Sequence, residues 1–182
     1  DYDMSNIFTT LAHEGYPGHL YQNVFYLSTD PEPLKQLLRT NGYTEGWGTY
    51  AELYGYTLAG FDDTLAEFCR NNMTAILSLY GLTEIGIHYT GWDEKTTAKF
   101  WGDYGIDEAT AKDIYQAILA EPCSYLPYCV GYLEFMDLKA QAQKELGGNF
   151  TPLALHTFLL KLGPAPFATI KTQMEKWISE QK

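Results

Sequence analysis

Cysteine is scarce in this chain. Cys69, Cys123 and Cys129 are the only three. Their odd number and the lack of Cys-x-x-Cys spacing exclude a disulfide framework and a thiolate zinc cluster. Cys123 and Cys129 could pair in principle, but unpaired core thiols are the expectation for all three. Basic residues are also few, 12 Lys and Arg against 23 Asp and Glu, for a net charge of −11. Such an excess repels nucleic-acid phosphates and anionic membranes, and by itself it identifies no substrate. No apolar run is long enough to span a membrane, and no signal peptide is present. The chain begins twelve residues before His13, so any targeting segment would lie upstream and the compartment is left open. Strict period-two alternation is missing as well, so no strand is expected. There is no internal repeat, low-complexity tract or linker.

What remains describes one helical domain over residues 1–182. Hydrophobic residues make up 46% of it and aromatics 15%, including 15 Tyr, enough for a sizeable core. The capping signals predict an all-α bundle of about eight or nine helices joined by short connections. Ser5 can cap a helix from Asn6 that runs, with a break, to about Tyr26. Asp30-Pro31 opens a short helix through Arg39, closed by Asn41-Gly42. A helix carrying Glu45 runs to about Leu58, and Asp62 or Asp63 starts a long one to Tyr89. Asp93 and Asp107 cap helices to Tyr104 and Ala120. Pro122 marks a break before a helix from Ser124 to Leu146, and two more follow, Thr151 to Leu162 and Ala165 to Ser179. Ala75, Ile76, Leu79, Leu82 and Ile87 are expected to form a buried stripe of the long helix.

Two stretches carry chemistry. His13-Glu14-Gly15-Tyr16-Pro17-Gly18-His19 puts a His-Glu pair ahead of a second His, and Glu45-Gly46-Trp47-Gly48-Thr49-Tyr50-Ala51-Glu52 supplies carboxylates. Two imidazoles and a carboxylate can hold Zn²⁺ with a fourth position open to water, whose pKa the metal lowers. A neighbouring carboxylate, Glu14, can then take the water's proton. The usual motif places its histidines four apart, on one helix face. Here they are six apart, ~240° around a straight helix. Pro17 removes a helical N–H and Gly18 tolerates unusual backbone angles, so a break there can return His19 to the metal. Glu45 and Glu52 are seven apart and share a helix face. Glu45 is the expected ligand, with Glu52 orienting a ligand histidine by a hydrogen bond. The plainer alternative is four polar residues paired locally.

Other titratable groups are less telling. His88 follows Glu84 by one turn, so the two can pair; it is a candidate to hydrogen-bond a metal ligand or to face the substrate, with a structural histidine as the alternative. His156 precedes an apolar run and is expected to be structural. Glu134 and Asp137 are expected on a solvated face.

Glu-Gly-Trp-Gly-Thr-Tyr-Ala-Glu resembles the Asn-Glu-Gly-Phe-Ala-x-Tyr-x-Glu helix of gluzincin aminopeptidases, whose first Glu binds zinc. Together with His-Glu-x-x-Pro-Gly-His it is similar to the bacterial family known as domain of unknown function 885, grouped with gluzincin-like metallopeptidases. The likeness continues through Gly86 to Trp92, Pro122 to Gly131 and Leu155 to Pro166. It corresponds to the C-terminal half of longer proteins. Many members carry a second His where this chain has Leu20, and Pro-Gly-Gln where it has Pro122-Cys123-Ser124. The resemblance implies that Tyr128, at a family Tyr position, can donate to the oxyanion of the reaction; a core tyrosine is the alternative. Pro127 is expected to kink its helix and expose it.

These readings lead to an expected zinc-dependent hydrolase with one Zn²⁺ per chain held by His13, His19 and Glu45. Glu14 and Tyr128 are the expected catalytic groups, and a peptide or small amide is the expected substrate. The missing N-terminal half, or a second copy in a homodimer, is expected to cover exposed apolar surface, leaving the isolated chain inactive. The alternative is a non-catalytic peptide-binding or structural module on the same architecture.

Overall fold

The computed structural model describes residues 4–38 and 40–182, with side chains from Ile7 onward. Among these residues there are only helices and turns: α1 (Met4–Glu14), α2 (His19–Ser28), α3 (Pro33–Leu37), α4 (Asn41–Gly55), α5 (Asp63–His88), α6 (Glu94–Gly102), α7 (Glu108–Ala120), α8 (Leu126–Leu146), α9 (Pro152–Leu162) and α10 (Phe167–Gln181), with a 3-10 turn at Gly147–Asn149. The all-α expectation holds. Each predicted segment has a counterpart, and the first becomes two helices because its break is complete. Among the described residues, no helix is long and apolar enough to cross a membrane.

The helix starts follow from their caps. Asp62 accepts from the amides of Thr64 and Leu65, Asp93 from Thr96, Asp107 from Thr110, and Thr151 from Ala154. Each satisfies an amide that has no partner in the first turn. The start of α8 is capped from a distance. Glu84, 1% exposed, accepts from the amides of Ser124, Tyr125 and Leu126 at 2.7–3.0 Å. Its negative charge also lies at the positive end of the α8 dipole.

Helices α4 and α8 run side by side in the same direction, with Gly46, Trp47 and Tyr50 meeting Gly131, Phe135 and Lys139 in that order. Their approach is so close that a Cβ on Gly46 would lie 2.7 Å from Gly131 Cα. Around this pair, Tyr43, Leu53, Phe135, Leu138, Leu155, Leu159, Ile170 and Met174 form the main core. Each such fully buried side chain contributes roughly 1.5–3 kcal/mol by leaving water. A second cluster, Ile87, Trp101, Ala111, Ile114 and Ile118, joins α5, α6 and α7.

Several expectations are corrected. Helix α1 begins at Met4, ahead of Ser5, whose side chain lies outside the described residues, as does Arg39. Asn41-Gly42 opens α4 instead of closing α3. Pro127 sits in the first turn of α8, where a missing N–H costs nothing, so it produces no kink. Ala75, Ile76 and Leu82 are exposed; the buried positions of α5 near them are Gly81, Thr83, Glu84, Gly86 and Ile87. That face packs through small and hydrogen-bonded residues, which apolar periodicity does not register. Cys123 is exposed, and all three cysteines are free thiols.

Candidate metal centre

The break between α1 and α2 is what turns both histidines inward. Gly15–Gly18 leaves the helix, with a cis Tyr16–Pro17 peptide. Trp47 Nε1–H donates to the Pro17 carbonyl at 3.0 Å and ties the break to α4. Gly18 is needed for room: its φ is −77°, and a Cβ there would overlap the carbonyl oxygens of Ala12 and His13. The His13 and His19 rings meet edge to face with centroids 4.7 Å apart. Leu20, where a second histidine is common in the family resembled, is 62% exposed on the outer side of α2.

Helix α4 brings its two carboxylates to these rings. His13 Nδ1–H donates to Glu52 Oε2 at 3.0 Å, which leaves Nε2 facing the cluster. Glu45 Oε2 lies 3.2 Å from His19 Nε2 and 3.6 Å from His13 Nε2. Burial opposes a charge on His13, but its bonds to Glu45 and Glu52, with the charges of Glu52 and Glu14, outweigh it and raise its pKa from 6.5 to about 9. Bonding to His13 and His19 holds the Glu45 carboxyl down at about 2 against the effect of its burial. In the absence of a cation, a proton on His13 therefore balances part of the carboxylate charge.

His13, Glu14 and His19 offer donor atoms that all lie within 4.8 Å of one another, a group able to hold a metal ion. The donor set fits a cation. For bonds of 2.0–2.2 Å, tetrahedral ligands stand ~3.4 Å apart, close to the 3.2 and 3.6 Å from Glu45 to the two Nε2 atoms. Imidazole with carboxylate suits zinc and other first-row divalent metals. Tyr128 stacks on His13 with centroids 5.8 Å apart. Burial, then the charge of Glu45 and a hydrogen bond to it, raise the Tyr128 hydroxyl to about 12, so it is a donor at neutral pH.

The structure thus brings His13, Glu14, His19, Glu45 and Tyr128 together, with Glu52 behind the His13 ring at Nδ1. His88 is elsewhere: its Nε2–H donates to the Ile118 carbonyl at 2.8 Å, joining α5 to α7, while its expected partner Glu84 caps α8. His156 Nε2 is 2.8 Å from the Tyr50 hydroxyl under the core. Gly48 was not singled out by its sequence context, yet a Cβ there would lie 2.6 Å from His13 Nε2 and 2.8 Å from His19 Cε1. A glycine inside a helix, on the turn between Glu45 and Glu52, was the available signal.

Two solved structures share this fold over nearly all of the chain. A candidate lipoprotein from Colwellia psychrerythraea matches 94% of it with a TM-score of 0.81 and 26% identity. A candidate lipoprotein of unknown function from Shewanella oneidensis matches 95% with a TM-score of 0.79 and 23% identity. The chain spans only 30% and 32% of those proteins. No curated protein matches it in sequence. A family model fits residues 1–174, and the chain belongs to that family, bacterial proteins of unknown function (DUF885).

Proposed function

We propose that the chain carries the metal centre of a zinc-dependent hydrolase of gluzincin type, acting on a peptide or amide carbonyl. The observation that carries this reading is the approach of Glu45 Oε2 to within 3.2 Å of His19 Nε2 and 3.6 Å of His13 Nε2. His13, His19 and Glu45 would hold the ion. Glu14 also belongs to the cluster, but it is exposed, which suits a group that exchanges protons with water and solvent. A bound zinc would acidify water and polarise the carbonyl.

The chain's own residues supply the rest. Glu52 fixes the His13 ring through Nδ1, so that Nε2 keeps one direction. Glu14 accepts a proton as water adds to the carbonyl carbon, then returns it to the departing amine nitrogen. Tyr128 donates its hydroxyl proton in a hydrogen bond to the oxygen on which negative charge develops. The exposed apolar residues of α1 to α3, among them Leu11, Leu20, Val24, Leu34 and Leu37, are read as surfaces that the remainder of a longer protein, or a second copy, covers. The isolated chain is therefore expected to turn over slowly.

Metal analysis of protein purified without chelator is the first test. Near one zinc per chain is expected, and none would leave a peptide-binding or structural module as the better reading. Glu14→Gln should keep the metal and remove hydrolysis in a full-length relative, whereas Glu45→Ala should lose the metal. The opposite pattern would reverse the two carboxylate roles.

A further inference from the structure

A cavity of about 360 Å³ opens between α4, α5 and α8, and neither His13 nor His19 lines it. Arg70 and Lys139 both line it, together with Asn71 and the side chains of Tyr50, Tyr54 and Tyr132, and none of the lining residues is acidic. In a chain with 23 acidic and 12 basic residues, two cations sharing a cavity without a carboxylate is a marked departure. Lys112, Lys171 and Lys182 each pair with a glutamate. Arg70 and Lys139 form no ion pair among the described residues.

Two aromatic rings hold Lys139 in place. The Lys139 ammonium is half-buried, 5.5 Å from the Tyr50 ring centroid and 5.9 Å from that of Tyr54. Burial and the neighbouring charge of Arg70 both push its pKa below the ordinary lysine value. Tyr132, which also lines the cavity, is near enough for the charge of Arg70 to act on its hydroxyl. Like charges brought together in a half-buried cavity repel, and an anion between them removes that cost.

We propose that this cavity is a binding site for the carboxylate of an organic acid. The guanidinium of Arg70 presents a planar fork that matches a carboxylate. Lys139 adds a second charge, the Asn71 amide adds donors, and Leu53 and Met136 offer an apolar wall for the rest of the ligand. Two sources share this chemistry, the C-terminus of a peptide and a free aliphatic acid. Tyr132 is one turn along α8 from Tyr128, and Lys139 lies ~16 Å along the helix from Tyr128. A segment of roughly five extended residues covers such a distance, so a peptide could reach both places. The cavity's affinity for acids does not depend on the metal centre.

The test uses metal-free protein and three probes, N-acetyl-Gly-Gly-Leu, its C-terminal amide, and 4-methylpentanoate, with affinity read by calorimetry and contact by the Met136 methyl resonance. The acid peptide is expected to bind at least about tenfold more tightly than the amide. Arg70→Gln should remove that preference and leave the amide unchanged. Lys139→Gln is the second variant if Arg70→Gln does not fold. Tighter binding of the peptide than of 4-methylpentanoate would assign the site to peptide termini, and the reverse to free acids. Equal affinity for acid and amide, no saturable binding by either acid, or an acid affinity that both variants leave intact would overturn the proposal. Because no zinc is present, any of these results is separable from a failure of the hydrolase reading.

Discussion

Replacing Gly48 by Ala tests the geometry of the histidine pair with one methyl group. The added Cβ would stand 2.6 Å from His13 Nε2, 2.8 Å from His19 Cε1 and 2.9 Å from His13 Cε1. Ordinary contact begins near 3.4 Å, so the tightest approach falls about 0.8 Å short. The backbone of α4 cannot give way, because Gly46 next to it already touches Gly131. The rings must move, yet His13 is held by Glu52 at 3.0 Å. Displacing a ligand by that much should weaken zinc binding by about 10- to 100-fold, the scale of losing a ligand's supporting contacts. Stability follows a different rule. Alanine gains about 0.5–1 kcal/mol over glycine inside a helix, against about 1–3 kcal/mol for overpacking. The net should be a loss of no more than about 2–3 kcal/mol. Competition against a chromophoric chelator reads the first quantity, and urea unfolding of the metal-free protein reads the second. Wild-type zinc affinity in Gly48→Ala would refute the claim that both imidazoles converge over this turn.

Three further outcomes are expected. His13 has its pKa raised from 6.5 to about 9, so in the metal-free protein it is protonated at neutral pH and must release that proton to bind a cation. Metal affinity should therefore rise with pH up to about 9 and level off above it, with about one proton released per ion near neutrality; calorimetry in buffers of different ionisation enthalpy measures this, and no release would mean that His13 is neutral. Cys123 has φ of +65°, so Cys123→Gly should stabilise the chain by about 0.5–1 kcal/mol in urea unfolding, the relief of a left-handed conformation less the entropy of glycine in the unfolded chain. Glu84→Ala leaves three amides of the α8 start without their acceptor and should cost about 3 kcal/mol or more, with faster exchange of the Ser124 to Leu126 amides as its local signature.

Much of the fold is legible wherever a local rule decides. Asp62, Asp93, Asp107 and Thr151 each precede good helix formers, and each caps the helix expected of it. Rules about single residues fail where a distant partner decides. Asn41-Gly42 reads as a stop signal, yet Gly42 continues into α4 because Gly131 packs onto its carbonyl oxygen. Cap reading along the chain finds no side chain for the α8 start, since Glu84 lies forty residues earlier. The same limit applies at the site. Spacing alone pairs Glu45 with Glu52, but only the break at Gly15–Gly18 decides whether His19 joins His13, and its angle is not encoded in any periodicity. His88 and Glu84 have the spacing of a helical pair, and each has a tertiary partner instead.

The carboxylates of the cluster stand on a helix that the core itself holds: Trp47, Tyr50 and Leu53, beside Glu45 and Glu52 on α4, all belong to the main core. The scaffold of α4 and α8 is held by glycine contacts and buried aromatics, and it presents Glu45 and Glu52 toward the histidines. Three carboxylates meet two imidazoles, so the cluster carries excess negative charge that a proton on His13 offsets only in part. A divalent cation at the same point would neutralise more charge than the proton it displaces. A metal ion taken up at this point competes with the proton that His13, with its raised pKa, holds at neutral pH.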